Sequence, residues 1–127
     1  MAQKVMVIED NSISREGIKT ILQRHGYDVF SIENGRDALE LLMKGLKPDV
    51  ILLDMLMPVL DGWRLLERLR GTSAVNIPIV ITTGTILTRE WAEMQKCAGF
   101  LKKPIEEQDL LDELRSVLPP TAEAVSV

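Results

Sequence analysis

Residues 50–63 read VILLDMLMPVLDGW, and this stretch decides the fold. Its first four residues, Val50–Leu53, are all apolar and run directly into the carboxylate of Asp54; a second acid, Asp61, follows seven positions later. A short, continuously apolar run is typical of a strand that is covered on both faces, as in a parallel sheet. The stretch therefore predicts a buried strand that ends in a carboxylate. It raises the question of which groups stabilise this negative charge.

Segments of the same kind alternate with helical patterns along the whole chain. Predicted strands cover residues 4–10, 27–32, 48–54, 77–84 and 99–103. Predicted helices cover residues 12–26, 35–45, 61–71, 88–97 and 106–118. Strict alternation predicts an α/β fold, a three-layer doubly wound sandwich with a five-stranded parallel sheet and five helices. The expected strand order is 2-1-3-4-5, which places a crevice at the carboxyl ends of strands 1 and 3.

Helix ends carry their own signals. Asn34, Thr88 and Asp61 stand where side-chain oxygens can cap helix N-termini. Gly26 and Gly45 stand where helices are expected to end. We expect one domain over residues 1–119, followed by a flexible tail or linker over residues 120–127.

Composition limits the classes of function. The chain has 127 residues and a formal net charge of −4, so non-specific binding to nucleic acid is not favoured. No apolar run approaches the length of a membrane span, and acids follow the N-terminus too closely for a signal peptide. Cys97 is the single cysteine and excludes an internal disulfide. These features predict a cytoplasmic protein with no direct nucleic-acid or membrane partner.

Several polar residues end strands that the predicted order makes neighbours. Glu9 and Asp10 end strand 1, and Asp54 ends strand 3, so three carboxylates converge in the crevice. Carboxylates this close repel each other, and Mg²⁺ is a cation that suits one or two carboxylates with water. Thr83 at the end of strand 4 adds a hydroxyl, and Lys103 at the end of strand 5 adds an ammonium. The set suits phosphoryl transfer to a carboxylate.

With these residues in place, the sequence resembles the receiver domain of two-component response regulators, over the whole chain up to the tail. The matching motifs are Glu9-Asp10, the run DMLMPVLDG at 54–62, Thr83 at the end of PIVITT, and Lys103-Pro104.

The resemblance implies that Asp54 accepts a phosphoryl group from the phosphohistidine of a histidine kinase. Asp10, Asp54 and the backbone carbonyl of Leu56 would hold Mg²⁺ directly, and Glu9 would act through a metal-bound water. Lys103 would pair with the phosphoryl oxygens.

The resemblance also implies a switch. Thr83 would bond to the phosphate, Phe100 would be the aromatic residue that moves inward with it, and the Lys103–Pro104 bond would be cis. The face formed by helix 4, strand 5 and helix 5 would bind a downstream protein or a histidine phosphotransfer partner. The expected state is a monomer or a weak dimer through that face.

Some positions depart from the family pattern. The acid pair is Glu-Asp rather than Asp-Asp, Gly84 replaces a common Ala, and Phe100 replaces a frequent Tyr. The segment between Thr83 and Phe100 is about two residues shorter than usual in the family, which affects helix 4. Leu56 is apolar and cannot orient a water molecule by hydrogen bonding, so a long-lived phosphoryl group is expected.

The sequence leaves other interpretations of function open. The chain would be either a single-domain regulator or a piece excised from a larger one. Instead of changing the binding of a downstream protein, it could act as a phosphorelay intermediate that passes its phosphoryl group to a histidine phosphotransfer protein. A binding module that works without phosphorylation is another. A phosphatase with an aspartyl nucleophile lacks its second acid, since Leu56 stands there, and a nucleotide binder lacks a glycine-rich loop after strand 1. The preferred reading is a signalling switch rather than a turnover enzyme.

A few residues have simpler interpretations. Thr82 and Lys102 are read as structural neighbours of the functional Thr83 and Lys103. His25 is expected at a solvated helix end. Trp91, on helix 4, is read as core or as an interface anchor.

Overall fold

The fold alternates strands and helices as predicted. A computed structural model describes residues 2–55, 62–72, 76–84 and 86–119. Within them the strands are Lys4–Ile8 (β1), Asp28–Ile32 (β2), Val50–Asp54 (β3), Ile79–Thr83 (β4) and Gly99–Lys102 (β5). The helices are Ser12–Arg24 (α1), Gly35–Met43 (α2), Gly62–Arg70 (α3), Arg89–Met94 (α4) and Glu107–Val117 (α5).

The sheet is parallel throughout and has the order β2-β1-β3-β4-β5, which confirms the predicted topology. Strands β1 and β3 lie side by side, with Ile8 opposite Leu53. Glu9, which follows β1, and Asp54, the last residue of β3, therefore lie next to each other at the carboxyl end of the sheet.

Helices cover both faces of the sheet, since successive strand residues point to opposite sides. On one face Met6, Ile8, Ile51 and Leu53 pack against α2, α3 and α4. On the other face Val5, Val7, Val50 and Leu52 pack against α1 and α5. The predicted three-layer sandwich is thus confirmed, and the continuous apolar run at 50–53 is explained because its residues serve both cores in turn.

Most predicted helix ends are where the sequence places them. Asn34 accepts a hydrogen bond from the Asp37 N–H (2.8 Å), and Thr88 accepts one from the Trp91 N–H (3.1 Å). Gly26 and Gly45 adopt φ angles of +87° and +103°, which only glycine takes without steric cost. Asp61 lies outside the described residues.

Helix α4 is shorter than predicted: it ends at Met94 instead of continuing to Cys97. The chain turns back because the Cys97 N–H donates to the Ala92 carbonyl at 2.9 Å, while Lys96 takes a left-handed φ of +62°. This is a helix-ending turn made without glycine, so the sequence carries no local sign of it.

Among the described residues, no helix combines the length and the apolar character that a membrane crossing requires.

Cys97 gives a pH-dependent prediction. Burial raises the pKa of its thiol from 9.0 to about 11, against the opposing charge of Arg70. At pH 8 we expect alkylation by iodoacetamide to be slower by on the order of 100-fold than for the same chain unfolded in urea, because the thiolate is the reactive form. The fold favours the neutral thiol, so its contribution to stability is constant below about pH 9 and is lost as pH rises toward 11. Equal alkylation rates in the folded and unfolded chain would contradict the assignment.

Candidate functional site

The three predicted carboxylates come together at the carboxyl ends of β1 and β3. One carboxylate oxygen each from Glu9, Asp10 and Asp54 lie within 4.8 Å of one another. Glu9 and Asp54 are only 2% and 4% exposed, while Asp10 faces solvent. The structure therefore assembles the acidic cluster that the strand order predicted.

Lys103 reaches this cluster from the end of β5. Its Nζ donates a hydrogen bond to Glu9 Oε1 at 2.7 Å and lies 3.4 Å from Asp54 Oδ2. The neighbouring Lys102 is exposed, so the preference for Lys103 agrees with the geometry. The Lys103–Pro104 bond is cis, as the resemblance implied.

Thr83 is placed beside Lys103 by the backbone. The Lys103 N–H donates to the Thr83 carbonyl at 2.8 Å, which continues the pairing of β4 with β5 beyond its last strand residue. Thr83 is 1% exposed and Thr82 3%, so burial alone does not separate the two threonines. Thr82 lies opposite Asp54 in the sheet register, and the Met55 N–H donates to its carbonyl.

The pKa values of Glu9 and Lys103 reflect their pairing. Burial alone would raise the pKa of Glu9, but hydrogen bonds with Lys103, Asp54 and the Asn11 N–H together lower it. Burial alone would lower the pKa of Lys103, but its hydrogen bond to Glu9 and the charge of Asp54 raise it. Lys103 is therefore a fixed ammonium at neutral pH, held where negative charge is concentrated.

Two residues that the sequence analysis did not select hold the loop between β1 and α1. Arg15 donates from one guanidinium nitrogen to the carbonyl oxygens of Glu9 (2.9 Å) and Asp10 (3.3 Å). Asn11 donates its N–H to Glu9 Oε2 at 3.2 Å and caps α1 by accepting from the Ser14 N–H at 2.9 Å. An Asn directly after the acid pair and a cation one turn later were the available signals.

Gly62 lets the start of α3 lie directly against the end of β3. A Cβ on Gly62 would be 2.7 Å from Met55 Cα and 3.1 Å from the carbonyl oxygen of Asp54. Only a residue without a side chain fits, because both contacts are to backbone. The position of Asp54 is thus coupled to the entry of α3.

Both predicted switch residues, Thr83 and Phe100, lie among the described residues and are buried. Phe100 is 9% exposed and belongs to the core on the α2, α3 and α4 side. Trp91 is half-buried and meets Trp63 edge-on, with ring centroids 4.5 Å apart and an interplanar angle of 66°. Leu56, the predicted backbone ligand, lies outside the described residues.

A parallel sheet of order 2-1-3-4-5 with an acidic cluster and a lysine at its switch point defines a flavodoxin-like α/β domain with a polar site at the carboxyl ends of its strands. Residues 5–115 match the family model of the response regulator receiver domain. The chain belongs to this family, and so to two-component signalling.

Similar proteins agree with this membership. Protein PilH of Pseudomonas aeruginosa is 31% identical over 118 residues, which cover 91% of this chain and 97% of PilH. The chemotaxis protein CheY4 of Vibrio cholerae has a solved structure with a TM-score of 0.84 and 30% identity, covering 93% of this chain and all (100%) of CheY4. Response regulator MprA of Mycolicibacterium vanbaalenii is 31% identical, but its match covers 93% of this chain and only 51% of MprA. The chain thus corresponds to nearly all of PilH and about half of MprA.

Proposed function

We propose that Asp54 is the phosphoacceptor of this receiver domain and takes a phosphoryl group from the phosphohistidine of a histidine kinase. The observation that supports this most is the buried Asp54 carboxylate, which lies in a cluster of three carboxylates with the Lys103 ammonium 3.4 Å away. A structural ion pair with Lys103 would need only one acid, whereas here two further carboxylates, Glu9 and Asp10, lie beside Asp54.

The transfer itself needs few protein groups. An Asp54 carboxylate oxygen attacks phosphorus, the new P–O bond forms, and the P–N bond to the kinase imidazole breaks with its electron pair left on nitrogen. Lys103 is positioned to stabilise the negative charge on the equatorial oxygens, and the Thr83 hydroxyl is proposed to donate to one of them. Catalysis on the side of this chain is therefore positioning and electrostatics.

The donor set fits Mg²⁺. One ammonium faces three carboxylates, so negative charge is left over, and oxygen ligands with few protein contacts are what this ion prefers. Asp10 and Asp54 would hold the ion directly, Glu9 through a water, and the Leu56 carbonyl would add a backbone ligand. When bound, the ion neutralises charge on the phosphoryl oxygens.

The proposed output is a change in a protein-binding face. Phosphorylation would alter the contacts of Thr83 and Phe100, and the face of α4, β5 and α5 would change its affinity for a partner protein. The partner is a downstream protein or a histidine phosphotransfer protein, bound by a monomer or weak dimer in the cytoplasm. Direct binding to nucleic acid or membrane has no part in this proposal.

The test is phosphoryl labelling of the whole chain. We expect incubation with acetyl phosphate or phosphoramidate to give one phosphoryl group per chain in Mg²⁺ and none in EDTA, because the acidic cluster repels the donor without a cation. The product should be released by hydroxylamine, as an acyl phosphate is. Absence of label with both donors would contradict the proposal and favour a module that binds its partner without phosphorylation.

A further inference from the structure

Strand β5 is an edge strand, yet the outward backbone groups of its Phe100 are paired. The Phe100 N–H donates to Glu113 Oε2 at 2.7 Å, and the Phe100 carbonyl accepts from an Arg89 guanidinium nitrogen at 3.1 Å. An edge strand otherwise presents such groups to solvent or to another chain. Two side chains thus take the place that a sixth strand would fill.

These two side chains are also paired with each other. Arg89 donates from its two terminal nitrogens to the two carboxylate oxygens of Glu113, at 2.9 and 3.2 Å. Such a bidentate, charge-assisted pair of hydrogen bonds is among the stronger side-chain interactions. The Glu113 side chain is only 13% exposed, so its carboxylate makes these protein contacts largely in place of contacts with water. The hydrogen bond to Glu113 raises the pKa of Arg89, which agrees with a close pair.

The surrounding residues leave space for this contact. A Cβ on Gly99 would lie 2.7 Å from Glu113 Oε2 and 3.1 Å from Val80 Cγ2. The Arg89 guanidinium carbon lies 6.0 Å from the centre of the Phe100 ring. The glycine before Phe100 therefore admits the carboxylate, and the arginine covers the ring. Because Arg89 begins α4 and Glu113 lies within α5, the pair joins both helices across β5.

We propose that Arg89 and Glu113 are positioning residues for the phosphoryl site, and that their pair is a latch that fixes β5 and so holds Lys103 against Asp54. Strand β5 has four residues, and within the described part of the chain it pairs with β4 alone. Lys103 directly follows the last residue of β5, so any motion of the β5 backbone also displaces the Lys103 ammonium. The second half of this inference rests on the proposed function.

Hydrogen exchange tests the latch without any phosphoryl chemistry. In Glu113→Gln and in Arg89→Gln we expect the amides of Phe100 and Lys103 to exchange faster by on the order of tenfold, because the charge-assisted bonds at the strand edge are weakened. Arg24→Gln is the matched control: it removes another ion pair of α5, the one between Glu107 and Arg24 of α1 at 2.9 Å. Unchanged exchange at Lys103 in both latch variants would overturn the inference.

Binding of beryllofluoride in Mg²⁺ tests the link to the site. We expect its Kd to rise about three- to tenfold in the latch variants and to stay unchanged in Arg24→Gln. In a Lys103→Met background, Arg89→Gln should have no further effect, since the latch acts through Lys103. An equal effect in both backgrounds would show general loosening and reject the positioning role. If the wild-type chain binds no beryllofluoride, the proposed phosphoacceptor function fails, while the exchange experiment still decides on the latch.

Discussion

Asp54→Asn is expected to abolish phosphoryl labelling under conditions in which the wild-type chain takes one group. An amide is a poor nucleophile and cannot carry an acyl phosphate, so no other property of the site compensates. The substitution is nearly isosteric and keeps an oxygen that accepts hydrogen bonds. Labelled acetyl phosphate in Mg²⁺, followed by detection on the intact chain, measures the effect. Persistent hydroxylamine-sensitive label would place the acceptor at another residue.

The same substitution should not weaken the fold. Asp54 is 4% exposed and lies beside the like charges of Glu9 and Asp10, with the Lys103 ammonium 3.4 Å away. The shorter contact of Lys103, at 2.7 Å to Glu9, remains in the variant. Removing one negative charge relieves repulsion, so in Mg²⁺-free buffer we expect the free energy of unfolding to be unchanged or to rise by about 1 kcal/mol. Urea denaturation measures it, with the exposed Asp112→Asn as control. A loss of several kcal/mol would mean that Asp54 has a structural role instead.

Gly62→Ala is expected to have the largest effect on stability. The new Cβ would meet the Met55 Cα at 2.7 Å, and a backbone atom cannot turn aside as a side chain does. The start of α3 or the end of β3 must therefore shift, at a cost of roughly 1–3 kcal/mol in the free energy of unfolding. Because Asp54 directly precedes Met55, the rate of phosphoryl labelling should fall as well.

Gly17→Ala is the matched control for this substitution. Gly17 lies inside α1, and an added Cβ would meet nothing within 4 Å. Here alanine should raise the free energy of unfolding by about 0.5–1 kcal/mol, since glycine inside a helix has excess freedom in the unfolded chain. The two substitutions are chemically identical and should have opposite signs in urea denaturation. A similar sign for both would reject the close approach at Gly62.

Much of the fold was predictable because its signals are local. Short apolar runs such as Val50–Leu53 and Val5–Ile8 indicate buried parallel strands, and glycines such as Gly45 mark helix ends. The acidic cluster could then be predicted from the strand order alone, without knowledge of any contact between its side chains. Neighbouring parallel strands end at one edge, so residues that follow them must lie close together.

Other features could not be predicted because they depend on a local conformation that residue type does not specify, or on partners that are distant in the sequence. The end of α4 relies on a left-handed Lys96, a conformation for which lysine carries no preference. Lys103 lies 2.7 Å from Glu9 and 3.4 Å from Asp54, and residue type alone does not predict which of the two acids is closer. Arg89 and Glu113 look like ordinary surface charges in the sequence, and only the folded chain brings both to the backbone of Phe100.

The pairing of Phe100 also bears on aggregation. A sheet in this topology has two rims, β2 and β5, at which a further strand from another molecule can be added. At the β5 rim an incoming strand would first have to displace a carboxylate and a guanidinium that are already bonded to Phe100 and to each other. We therefore expect any growth of intermolecular sheets from the folded chain to start at β2, so that charged side chains on β2 matter most for solubility at high concentration.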